Sequence, residues 1–201
     1  GETWAEAWEV SMDFESFAKI ARLSRQCIVT EKIDGTNGQI AITEDGQMYV
    51  GSRNQWILTP DGGYQADPFG FARWALDHKD ELISKLGPGR HYGEWWGSGI
   101  QRGYGLVKGE KRFSLFNTSR WGDAASRPEC CGVVPILYQG VFDVSRIELC
   151  LSELRSTGSV VAPGFMRPEG VVIFHTASNR LYKKTLEKDD EPKSRGKHET
   201  I

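Results

Sequence analysis

The 201-residue chain has no long apolar run, no dominant charge sign and no cysteine framework. No stretch approaches the roughly 18 consecutive apolar residues that a membrane-spanning helix requires. Residues 1–10 carry Glu2 and Glu6 where a secretory leader would have a basic region before an apolar one. Cytoplasmic localisation and no membrane partner are the expectation. Twenty-five Lys plus Arg against 27 Asp plus Glu leave a net charge of −2, too little to coat nucleic acid or anionic lipid by bulk charge, though a local basic groove is compatible with it.

Cys27, Cys130, Cys131 and Cys150 form no C-x-x-C pair and have no histidine at zinc-ligand spacing. They read as reduced, structural thiols. His78, His91, His175 and His198 are scattered, which argues against a local metal cluster or Cys/His nucleophile pair. No internal repeat is present.

With 39% apolar and 26% charged residues, the composition is that of one globular domain with a sizeable core. Glycine, at 23 residues, exceeds the average and points to tight turns and close backbone approaches. Apolar spacing predicts helices over 11–23, 69–86 and 145–157. Strands are predicted over 27–30, 38–43, 47–51, 92–96, 112–117, 133–141, 170–175 and 181–186, with a hairpin turn at Glu44-Asp45-Gly46. The mixed order predicts an α+β fold with antiparallel sheets. Residues 1–186 form the expected domain, and 187–201 a charged tail.

Chemistry concentrates in short segments. Glu31-Lys32-Ile33-Asp34-Gly35-Thr36-Asn37 places a lysine at a strand end before a turn, where Gly35 lets backbone approach a ligand. Gly51-Ser52-Arg53-Asn54, Tyr92-Gly93-Glu94-Trp95-Trp96-Gly97, Phe113-Ser114-Leu115-Phe116-Asn117, Glu169-Gly170-Val171-Val172-Ile173 and Leu181-Tyr182-Lys183-Lys184-Thr185 follow in that order. Taken singly, each has an ordinary structural reading. Lys32 could be a solvated turn residue, Phe113 and Phe116 core residues, Glu94 an ion-paired strand end, Glu169 a strand start and Lys183-Lys184 a solvated edge.

Together, and in this order, the segments resemble the collinear motifs of the covalent nucleotidyltransferases, the superfamily of ATP-dependent RNA ligases, DNA ligases and messenger-RNA capping enzymes. The first two look most like phage-type RNA ligases. The resemblance implies an ATP-grasp-like adenylation domain with two antiparallel sheets flanked by helices and the nucleotide between them. It implies that Lys32 is the nucleophile, forming a lysyl-AMP and expelling pyrophosphate. Arg53 would bind ribose or phosphate, Lys183 phosphate, Glu94 the ribose hydroxyls and Phe116 the adenine, with Phe113 the alternative stacker. Glu169 would help hold Mg²⁺ or Mn²⁺, and Glu31 and Asn37 would contact base and phosphate.

The family's last motif usually has lysines two apart. Here that spacing joins Lys183 to Thr185, so Lys184 points to the opposite face and contributes only if the strand twists. The implied reaction joins RNA 3′-hydroxyl and 5′-phosphate ends, in single strands or in a nicked duplex, and a monomer is expected. DNA nick sealing, GTP-dependent capping and an inactive nucleotide- or RNA-binding module remain open. No OB-fold is expected within this chain, which would be either a minimal ligase or the adenylation domain of a longer one. Arg102, in the aromatic and glycine-rich run from Trp95 to Tyr104, is a candidate RNA contact.

Overall fold

The structure is a computed structural model, described here for residues 14–187. Its elements are β1 (Gln26–Lys32), β2 (Thr36–Ile42), β3 (Met48–Gly51), β4 (Trp56–Leu58), α1 (Phe71–Asp77), α2 (Lys79–Leu86) and β5 (Gly89–Gly97). They continue with β6 (Lys111–Leu115), α3 (Thr118–Trp121), β7 (Cys131–Val133), β8 (Ile136–Val141), α4 (Val144–Thr157), β9 (Gly170–His175) and β10 (Arg180–Thr185). The strands form a four-stranded sheet, ordered β10-β9-β1-β8, and a six-stranded sheet, ordered β4-β3-β2-β5-β6-β7. All neighbours are antiparallel except β6 and β7, which run parallel. The expected α+β class holds.

Each sheet buries one face against helices. In the six-stranded sheet, Ile40, Ile42, Val50, Trp95, Phe113 and Leu115 meet Phe71 and Ala75 of α1 and Leu82 and Leu86 of α2. In the four-stranded sheet, Cys27 and Val29 of β1 and Val171 and Ile173 of β9 meet Ile147, Cys150, Leu151 and Leu154 of α4. That helical stripe follows the three- and four-residue spacing of one helix face. Full burial of each such aliphatic or aromatic side chain contributes about 1.5–3 kcal/mol. A third cluster of Ile33, Trp96, Tyr104, Val134 and Ala162 lies where the sheets approach one another. The remaining faces of both sheets line a shared cavity.

Three expectations need correction. The helix over 11–23 is absent where it is described: residues 14–22 have no regular structure, and Phe14, Phe17 and Ile20 are about 90% exposed. An amphipathic pattern forms a stable helix mainly by burying its apolar face, and nothing covers this one; residues 11–13 lie outside the described region. The helix over 69–86 breaks at His78, whose φ of −114° and ψ of 17° leave helical geometry while its ring bonds the Trp74 carbonyl at 2.9 Å. Apolar spacing misses the break because both halves pack on the same core. The strand over 133–141 divides at Val134-Pro135, where the chain passes from one sheet to the other; Pro135 has no N–H to continue a ladder.

All four cysteines are free thiols. Among the described residues no helix is long and apolar enough to cross a membrane. Apart from Glu187, the charged tail lies outside the described residues.

Candidate active site

The two-residue period of β1 sorts its side chains. Cys27 and Val29 turn toward α4, while Ile28, Thr30 and Lys32 line the cavity between the sheets. The cavity has a volume of about 1040 Å³, and its walls include Lys32, Asn37, Arg53, Glu94, Phe116 and Lys183. That is at the upper end for small-molecule sites, which span roughly 300–1000 Å³. Six residues drawn from distant parts of the sequence thus meet in one space.

Lys32 ends β1, opposite Gly170 of β9. This register puts Glu169, one residue before β9, beside the lysine, and Lys32 Nζ lies 2.7 Å from Glu169 Oε2. Among the described residues, no hydrogen bond other than this ion-pair contact satisfies that buried oxygen. Gly170 is dictated by packing: at φ 152°, a Cβ there would stand 2.2 Å from the Lys184 carbonyl oxygen.

The turn after Lys32 is equally tight. A Cβ on Gly35 would lie 2.3 Å from the Trp95 carbonyl oxygen. The Gly35 N–H donates to Glu94 Oε1 at 3.0 Å, joining the lysine turn to β5. Glu94 pairs in register with Asn37 of β2, and both side chains face the cavity. Burial pushes the Glu94 carboxyl up to about 7. The Gly35 N–H and the Lys32 charge pull it down, and Glu169 and Asp34 push it further up.

Arg53 is exposed in the turn between β3 and β4, whose Ser52 carbonyl accepts from Gln39 Nε2 at 2.8 Å. Phe116, just after β6, is 42% exposed and lines the cavity. Phe113 is fully buried against Phe71 and Trp74 on the far face, so Phe116 is the aromatic available to a base. Lys183 faces the cavity opposite Val172 of β9.

Two candidate nucleotide contacts are engaged elsewhere. Lys184 lies on the opposite face of β10, as the strand period predicts, and pairs with Glu148 of α4, which corrects its place among the nucleotide-binding candidates. Glu31 borders the cavity, but its carboxylate accepts from Ser159 Oγ at 2.6 Å and from the Val160 and Val161 N–H groups at 2.9 Å each. Its side chain therefore anchors the loop after α4; burial raises its pKa, against the pull of those donors. Arg102 also differs from its expected role, since its guanidinium is bonded within the chain to Asp34 and to the Arg167 and Pro168 carbonyls.

Among the described residues, no three His, Cys, Asp or Glu side chains converge as a ready metal cage. The Glu169 carboxylate, whose buried Oε2 meets only the Lys32 amine among the described residues, instead fits a hard divalent ion held through one or two carboxylates, with water and phosphate completing its shell.

Comparison with curated protein sequences finds no match. Solved structures of Naegleria gruberi RNA ligase mutants share the fold: one with ATP and Mn is 17% identical with a TM-score of 0.58, and one with AMP and Mn is 18% identical with a TM-score of 0.58. An apo mutant is 19% identical with a TM-score of 0.59. Each match covers 81% of this chain and 50% of the other, so the chain spans about half the length of the solved ligases. The family model described as RNA ligase matches residues 25–188, which include every candidate residue around the cavity. The chain belongs to the RNA ligase family.

Proposed function

We propose that this chain is the adenylating domain of an ATP-dependent RNA ligase that activates a 5′-phosphate for attack by a 3′-hydroxyl. The observation that carries the reading is the placement of Lys32 on the wall of a nucleotide-sized cavity with Glu94, Arg53, Phe116 and Lys183 around it. Its family and the ATP- and AMP-bound ligases of the same fold support the choice of nucleotide.

In the first step the Lys32 amine attacks the α-phosphorus of ATP. A P–N bond forms, the bond to the β-phosphate oxygen breaks, and pyrophosphate leaves with the electron pair. A protonated lysine has no lone pair to donate, so the ammonium held by Glu169 must first release a proton to solvent water entering the open cavity. Arg53 and Lys183 supply fixed positive charge for the phosphoryl oxygens, and Phe116 supplies a face for the base. Glu94, tied to the lysine turn through Gly35, orients the ribose.

Glu169 is the residue that would hold Mg²⁺ or Mn²⁺. Such an ion, when bound, neutralises developing phosphate charge. In the second step a 5′-phosphate oxygen of RNA displaces Lys32 from the AMP phosphorus. In the third, a 3′-hydroxyl attacks the activated 5′-phosphorus, forms the phosphodiester and releases AMP.

The test offers the adenylated protein single-stranded RNA, nicked RNA duplex and nicked DNA duplex, each 5′-phosphorylated. AMP is expected to move from protein to RNA ends, with sealed product following. Transfer to DNA alone would identify a DNA nick-sealing enzyme. Formation of a lysyl-GMP in place of lysyl-AMP would identify a capping activity.

A further inference from the structure

The loop between β5 and β6 holds an arginine connected to both halves of the lysine–glutamate pair. Arg102 Nε donates to Asp34 Oδ2 at 3.0 Å, two residues beyond Lys32. Its Nη1 donates to the carbonyls of Arg167 at 2.9 Å and Pro168 at 3.2 Å, immediately before Glu169. Its Nη2 lies 3.8 Å from Glu187, just after β10. One guanidinium thus spans the exit from β1, the entry to β9 and the exit from β10. Only a planar fork of donors can serve such divergent acceptors together; a lysine ammonium concentrates its charge at a single point.

The loop is built to hold this side chain in place. Three successive turns close it, with Ile100 N–H donating to Gly97, Gly103 N–H to Ile100 and Leu106 N–H to Gly103. Gln101 and Tyr104, on either side of Arg102, have φ of 44° and 52°, a left-handed geometry that residues with side chains adopt uncommonly. Ile100 and Tyr104 are buried, so both shoulders of the arginine are fixed in the core. The Tyr104 hydroxyl also accepts from the Asp34 N–H at 2.7 Å.

We propose that Arg102 is a positioning residue for lysine adenylation, setting the approach of Lys32 to Glu169 by clamping the Asp34 turn to the Arg167-Pro168 carbonyls. This rests on the adenylating function proposed above. Arg102 acts through Asp34, which its Nε holds, and through the backbone before Glu169, which its Nη1 holds.

The test measures single-turnover lysyl-AMP formation over a range of ATP concentrations for wild type, Arg102→Gln, Arg102→Lys, Asp34→Asn and the Asp34→Asn/Arg102→Gln double variant, with thermal unfolding of each. Arg102→Gln should lower the rate at saturating ATP about 30-fold while half-saturating ATP changes less than about threefold. Arg102→Lys, which can satisfy Asp34 but not both carbonyls, should recover part of that rate. The double variant should be no slower than Asp34→Asn alone, the non-additivity expected of residues acting as one unit. A wild-type rate for Arg102→Gln overturns the proposal, as does a loss confined to ATP affinity, a loss that tracks unfolding, or fully multiplicative effects in the double variant. Absence of label on the wild type overturns the adenylating function itself, whereas a labelled wild type with an equally active Arg102→Gln overturns the role of Arg102 alone.

Discussion

Lys32 Nζ at the end of β1 and Glu169 Oε2 just before β9 lie 2.7 Å apart, brought together by the register of those neighbouring strands. The lysine proposed as nucleophile is therefore held, before any nucleotide enters, by the carboxylate that would also hold the metal. The side chains are only 24% and 17% exposed, so the cost of desolvating both charges offsets much of their attraction and the pair is a weak contributor to stability. Its value lies in geometry, since it keeps the amine aimed into the cavity.

Replacing Glu169 by Gln preserves shape and removes the charge. Lysyl-AMP formation should fall about 100-fold, the scale of losing one electrostatic contact in a transition state. The Mn²⁺ concentration giving half the maximal rate should rise as well. An unchanged metal requirement would mean that Glu169 only orients the lysine.

Glu94 gives a prediction about pH. Burial raises its carboxyl from 4.5 to about 7, so the folded state favours the protonated form. The corresponding stability is complete below 4.5 and is lost as pH rises through 7. The shift corresponds to roughly 3 kcal/mol of linkage. Glu94→Gln keeps an acceptor for the Gly35 N–H but cannot ionise. Without nucleotide or metal, its Tm should match that of wild type near pH 4 and exceed it near pH 8.5. A Tm difference independent of pH would contradict the buried-carboxyl assignment.

Phe113 and Phe116, three residues apart, should separate cleanly. Phe116→Ala should raise half-saturating ATP roughly 10-fold, in line with the worth of one base–aromatic stack, and leave Tm nearly unchanged. Phe113→Ala opens a hole in the core and should cost about 3–5 kcal/mol in denaturant unfolding. Equal destabilisation by both would remove Phe116 from the nucleotide site.

The residues that the resemblance to the covalent nucleotidyltransferases named, Lys32, Arg53, Glu94, Phe116 and Lys183, each sit in a short strand-and-turn segment and line one cavity. The period of two in β10 already separated Lys183 from Lys184. What stayed hidden depends on pairing over long distances. Ser159 meets Glu31 across 128 residues, and Arg102 meets Asp34 across 68. Neither carries a local pattern, so a carboxylate that anchors a loop was indistinguishable from one that reads a base. Strands β4 and β7, at three residues each, are too short to show alternation. The break at His78 was invisible because the residues on both sides of it bury on one face.

The most direct measurement is incubation of the protein with α-labelled ATP or GTP and Mn²⁺, followed by denaturing electrophoresis of wild type and Lys32→Ala. Label from ATP should survive denaturation on the wild type and be lost from the folded variant. Labelling that persists in Lys32→Ala, or a wild type that takes no label from ATP under any condition, would contradict Lys32 as the adenylated nucleophile.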